Sequence, residues 1–311
     1  SVDPVDNEVY LYSQGETAYI RKMYPCFDQP DLKATFQLSV IAPSAWEIIS
    51  NSPVKASKDL DGDKKFWEFQ PTPRISTYIT ALVAGPYYQV HDEYRGQKVV
   101  PLGIYCRKSL AKYLDPEEIF LVTKQGFEYF EREFGLAYPF DKYDQLAVAE
   151  FNAGAMENAG CVTFAEDYFV FRSKVTDKNY NWRANVILHE MAHGLGFLSN
   201  AEYDSNFQIG TLQRPTPYDA YAQLPDGRRL TDVASPSTEL GQAMTNTLLW
   251  SGAKAIAANN GIKPKLYTPS PFEFGSSISH LDEITYPRGT PDSVMTPNLA
   301  NGEVFHSPGT I

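Results

Sequence analysis

The sequence predicts an α+β fold: an antiparallel β-domain over residues 1–101, then a second domain over 102–311 in which long helices accompany a mixed sheet. Three observations carry this reading. Short runs rich in β-branched and aromatic residues fill the first hundred positions. After Ser109 the texture changes to a helical pattern with start and stop signals. Further on, "VILHEMAHGLGFLS" (186–199) has helical character and places two histidines four positions apart.

The strand candidates are "ATFQLSVIAP", "AWEIISNSPV", "KKFWEFQPT" and "ISTYITALVAGPY", separated by Pro, Gly and Asp-Gly turns. In "DPEEIFLVTKQGFEYFEREFG", Asp115 is the expected N-cap, Pro116 takes the first helical position and Gly135 ends the helix. "DQLAVAEFNAGAMENAGCVTF" reads as strand, irregular edge and strand. "TDKNYNWRANVILHEMAHG" reads as a helix from Asp177 to Gly194. Turns and loops follow, with helices expected near Thr238–Trp250 and Gly252–Asn260 and a Pro/Ser-rich tail.

Composition narrows the function classes. The formal charge of −11 disfavours nucleic acid and anionic membranes as partners, and no apolar run approaches the ~20 residues of a membrane span. Cys26, Cys106 and Cys161 are too few and too scattered for a disulfide framework or zinc ribbon, so free thiols are expected. With no signal-like start at "SVDPVDNEVY", a cytoplasmic location is expected; secretion stays open if the chain begins inside a longer one. Oligomeric state is not legible.

In a helix, positions i and i+4 share a face, so His189 and His193 can offer ring nitrogens to one zinc ion. Glu190 projects beside them, placed to take a proton from a water whose pKa zinc would bring toward ~7. That motif shows only two ligands. A third must come from elsewhere in the chain.

Two resemblances meet at this motif. "YPCFDQPDLKATF" (24–36) and "GAMEN" (154–158) are similar to the β-domain signature and exopeptidase motif of the aminopeptidase N family of zinc aminopeptidases, over residues 9–193. The resemblance implies a zincin-type catalytic domain, one Zn2+ and peptide substrates. It also implies that Glu157, with Gly154, Ala155 and Met156 beside it, binds the substrate's free α-amine, helped by Glu16 in "SQGE". Two carboxylates holding an ammonium would place the first peptide bond over the metal.

The family's third ligand, a glutamate nineteen positions past the second histidine, is absent: that position is Leu212. Instead "HEMAHGLGF" resembles the start of a metzincin, and residues 189–311 resemble the leishmanolysin-like branch, which delays its third histidine and follows it with a Met-turn. The usual metzincin position holds Ser199. "GSSISHLDEITYPRGTPDSVMTP" then supplies His280 as the expected ligand and Met295 beneath it, with Asp282 and Glu283 as plausible partners for that ring. His306, Glu202 and Asp204 stand in reserve, and His91 falls in the β-domain.

The chain therefore reads as a join of two zinc-peptidase plans, the first expected to lack its opening strands and the second its closing helix. Three functions remain open: a zinc aminopeptidase, a metzincin-type endopeptidase in which GAMEN is only an edge strand, and a zinc-binding protein with weak catalysis. The third has a physical basis. Pro297 follows the Met-turn where a tyrosine would support the oxyanion, a group worth ~3 kcal/mol.

Overall fold

The computed structural model describes residues 1–15, 19–30, 32–197, 199–212, 215–273, 276–287, 290 and 295–297, with backbone alone for 133 and 134. It is α+β and divides into two compact units, Ser1–Thr176 and Asp177–Ile311. The boundary expected at 101/102 falls inside the strand Val99–Cys106, which pairs on both of its edges. Those pairings tie the residues before 101 to those after 140 in one sheet, and compactness breaks the chain only after Thr176.

The first unit is built in layers. Strands Leu11–Tyr12, Leu82–Gly85 and Glu47–Ser50 form a three-stranded sheet with Leu82–Gly85 in the middle. Alternation along its strands gives it two apolar faces. Ile49 and Val83 join a cluster with Tyr105, Leu146 and Cys161, whereas Ile48 and Ala84 join one with Trp67 and Phe69. This small sheet thus lies between the Ser39–Pro43, Lys64–Phe69, Val54–Leu60 sheet and a larger five-stranded one.

The larger sheet is mixed and runs in the order Ala155–Met156, Cys161–Ala165, Tyr143–Val148, Val99–Cys106, Tyr88–Arg95. All six residues of Tyr143–Val148 are buried, the pattern of a central strand covered on both faces. It runs parallel to both neighbours. A parallel connection needs a crossover, and the helix Pro116–Phe134 lies in it. That helix begins at Pro116 and ends where Gly135 turns left-handed at φ 70°. Phe127 fixes its buried face by stacking on Tyr94 and packing edge-on against Tyr138 and Tyr143.

The second unit opens with the helix Asp177–Gly194, whose residues 185–193 are all buried. Short hairpins and helices follow. The helix expected near Thr238–Trp250 spans only Thr238–Met244, capped by Ser237, whose hydroxyl accepts from the Leu240 N–H. Leu249–Trp250 instead pairs as a strand with Ala222–Gln223. Thr245, Asn246 and Thr247 are weak helix formers, and tertiary pairing takes the chain after them. The second expected helix spans Ala253–Ala258.

Candidate metal centre

The Asp177–Gly194 helix carries both motif histidines, and the way it ends sets the orientation of one ring. Gly196 has φ 105°, a region open to glycine. The Gly196 N–H donates to the His193 carbonyl and the Phe197 N–H to the Ala192 carbonyl, the paired bonds of a Schellman motif. The stopping glycine is therefore Gly196 rather than Gly194. The turn brings the Phe197 carbonyl back over the helix, where it accepts from His193 Nδ1 at 2.7 Å.

His280 joins the pair from 87 residues away. Its Nε2 lies 3.2 Å from His193 Nε2, which lies 3.1 Å from His189 Nε2. All three rings are buried. His280 Nδ1 donates to the Ser276 carbonyl at 2.8 Å, so the partner of this ring is a backbone oxygen of its own turn and not Asp282. The Asp282 carboxylate instead accepts from the Thr285 N–H and hydroxyl and lies 3.3 Å from Lys265 Nζ. The Met295 carbonyl accepts from the Leu281 N–H at 2.7 Å, which ties Met295 to the residue following His280.

The donor set fits a zinc ion. A carbonyl can only accept, so Nδ1 of His193 and of His280 carries the proton, and Nε2 of each presents a lone pair. Two such lone pairs at 3.2 Å have no proton to share; a cation between them resolves the conflict. Tetrahedral zinc with bonds of ~2.0–2.1 Å separates its ligand atoms by about 3.3 Å. Burial pushes the His193 imidazole down to about 4, against the opposing effect of its Phe197 bond. Burial and the neighbouring histidines hold His280 well below the usual imidazole range. Both are thus neutral near pH 7, the state that binds metal. Glu190, also buried, adjoins His189 on the same helix. Among the described residues, these three histidines are the group whose ligand atoms converge on a point. Asp204 caps the turn at Asn206 and Phe207, Glu202 lies in the strand Glu202–Asp204, and His306 lies outside the described residues.

In the first unit, Ala155–Met156 is the edge strand of the five-stranded sheet, antiparallel to Thr163–Phe164, and the Gly154 carbonyl accepts from the Ala165 N–H. Glu157 follows, half-buried, and its Oε1 accepts from the Tyr78 hydroxyl at 3.2 Å. Burial, with the Glu157 charge adding to it, raises the Tyr78 phenol well above its ordinary value, so it stays a donor. Asn51 fastens this corner: its amide donates to the carbonyls of Ile79 and Ala159, and its oxygen accepts from the Ala81 N–H. Glu16 lies outside the described residues. Tyr78 and Asn51 give no sign in the sequence, because their roles rest on partners 79 and 108 positions away.

Gly160 closes the same loop at φ 69°, and a Cβ there would lie 2.4 Å from the Asn51 carbonyl oxygen. Gly160→Ala should therefore destabilise the first unit by about 2 kcal/mol or more, combining left-handed strain with a backbone clash. A thermal midpoint equal to that of the parent would show that the loop relaxes freely.

Comparison with known proteins adds to this geometry. Residues 5–79 match the Peptidase M1 N-terminal domain and residues 120–195 the Peptidase family M1 domain. Aminopeptidase N of Streptomyces lividans is 60% identical over 194 residues, 62% of this chain and 22% of that protein. Probable aminopeptidase 1 of Sulfurisphaera tokodaii is 36% identical over 192 residues, 62% of this chain and 24% of that protein. Aminopeptidase N of Rattus norvegicus is 35% identical over 191 residues, 60% of this chain and 20% of that protein. The chain thus spans about a fifth to a quarter of the length of these curated relatives. Through residue 195 these matches support the peptidase M1 family, and His280 lies beyond both matched ranges.

Proposed function

We propose that the chain is a zinc-dependent aminopeptidase that releases N-terminal residues from peptides. The observation that carries the reading is the convergence of His280 on His189 and His193, which lie with Glu190 on a segment that matches a peptidase domain. Zinc held by the three imidazoles supplies Lewis acidity to water and to the scissile carbonyl. Neutral imidazoles would leave such an ion its full charge for that purpose. Glu190 accepts the proton of the attacking water and passes it to the leaving amine. Glu157 holds the substrate ammonium through a charge-assisted contact, with Glu16 as its partner in that role. Its support is the GAMEN motif and the Tyr78 hydroxyl that steadies its carboxylate.

The supply of His280 from beyond the matched ranges supports a further part of the proposal: an M1-like segment joined to a metzincin-like one over 189–311. It also favours a second reading, a metzincin-type endopeptidase indifferent to Glu157.

Cleavage of one peptide in free and N-acetylated form separates the two. The aminopeptidase reading expects removal of the first residue from the free peptide and a rate about 10- to 100-fold lower for the acetylated one, the worth of a charged hydrogen bond. Glu157→Ala should narrow that gap by slowing the free peptide. Comparable rates for both forms, with internal cleavage, would establish the endopeptidase instead.

A further inference from the structure

Two loops deliver the metal centre, one leaving the Asp177–Gly194 helix and one leading into His280. Tyr218 touches both, and its neighbour Asp219 holds the first. On the exit side, the Asp219 carboxylate accepts from the Ser199 hydroxyl at 2.5 Å and from the Asn200 N–H at 3.3 Å. The Tyr218 ring packs edge-on against Phe197, centroids 4.8 Å apart, and it is the Phe197 carbonyl that orients His193. On the other side, the Tyr218 hydroxyl donates to the Ile278 carbonyl at 2.7 Å, two residues before His280. The two loops also join directly, the Ser199 N–H donating to the Ser279 hydroxyl at 3.0 Å.

Asp219 is fully buried and is itself fixed by the Thr216 N–H and hydroxyl, at 2.7 and 3.0 Å. Ile278 shows what the arrangement holds in place. Its φ of 70° is a strained value for a β-branched residue, and such a conformation persists only where its surroundings over-determine it. Here its N–H donates to the Tyr267 carbonyl and its own carbonyl accepts from Tyr218, while the Tyr267 N–H donates to the His280 carbonyl. The strained residue sets the direction in which the chain enters His280.

We propose that Tyr218 and Asp219 form a brace that holds the His280 loop in register with the zinc-binding helix, and so act as positioning residues for the metal. The proposal rests on the zinc reading above, with the brace as an added element. An orienting partner beyond the ligands changes metal affinity by ~10–100-fold when removed.

The test uses the full chain, measuring Zn2+ affinity by chelator competition and the visible absorption bands of Co2+ substituted at the site. Asp219→Ala is expected to weaken Zn2+ binding by about 10- to 100-fold and to shift the Co2+ bands. Tyr218→Phe and Ser199→Ala, which each remove one hydroxyl, should act in the same direction by a smaller factor. Thr245→Ala, which deletes a hydroxyl bonded within the Thr238–Met244 segment, should leave both readouts unchanged. Should Asp219→Ala fail to fold, the two hydroxyl deletions decide. Parental affinity and Co2+ bands in all folded brace variants, whatever their thermal stability, overturn the brace while the zinc reading stands. A parent chain that takes up no Zn2+ overturns both.

Discussion

Glu190→Gln is expected to keep one zinc per chain and to lose peptide hydrolysis by about two to four orders of magnitude. The substitution preserves shape and removes the proton acceptor. Glu190 is buried on the helix that carries His189 and His193, so an amide of equal volume leaves the packing and the three imidazoles in place. What disappears is the group proposed to take the proton as water attacks, and among the described residues the convergent cluster itself holds imidazoles alone. Metal content and turnover should therefore separate, a pattern that a folding defect does not give. Turnover equal to the parent, with zinc retained, would remove Glu190 from the reaction.

His280→Ala should have the opposite signature, loss of metal with the fold kept. Structural zinc sites are worth ~10–16 kcal/mol across four ligands, so one imidazole represents about 3 kcal/mol, or a hundredfold or more in affinity. The loss is expected to be at least that large, because the variant leaves two imidazoles on one helix and opens a void at a buried position. His306→Ala should bind zinc as the parent does. Full zinc content in His280→Ala together with loss in His306→Ala would reassign the third ligand.

Legibility of this chain in its sequence follows the range of the interactions involved. The Pro116–Phe134 helix is readable because Pro116 and Gly135 mark its ends through local backbone physics. Glu47–Ser50 and Lys64–Phe69 are readable because β-branched and aromatic residues are concentrated there. Val54–Leu60 is not: all seven residues are exposed, and it is a strand only because Lys64–Phe69 pairs with it. The end of the helix at Met244 was invisible for a related reason, since the chain beyond it answers to Ala222–Gln223.

At the site, His189, Glu190 and His193 show themselves by spacing within one helix. His280 can be named only by resemblance and elimination, and its ring partner is hidden because a backbone carbonyl, that of Ser276, has no side-chain signature. Asp219 illustrates the limit further. In "TPYDAY" it looks like any loop acid, yet it is fully buried and joined to residues twenty positions back.

The 87-residue separation between His193 and His280 gives the site a history as well as a shape. At ~5–20 residues per second, a ribosome takes on the order of 4–17 seconds to make that stretch after the second histidine is complete. Through that interval the nascent helix offers a pair of imidazoles without the third. Closing a loop of this length carries an entropic cost of ~4–5 kcal/mol by the cross-link estimate, and that cost is met only when the rest of the second unit folds around it. A two-imidazole site has little power to discriminate among divalent metals, whereas the completed three-imidazole cluster favours a tetrahedral ion. On the zinc reading, a complete three-imidazole site therefore forms only after His280 has been made and the second unit has folded around it.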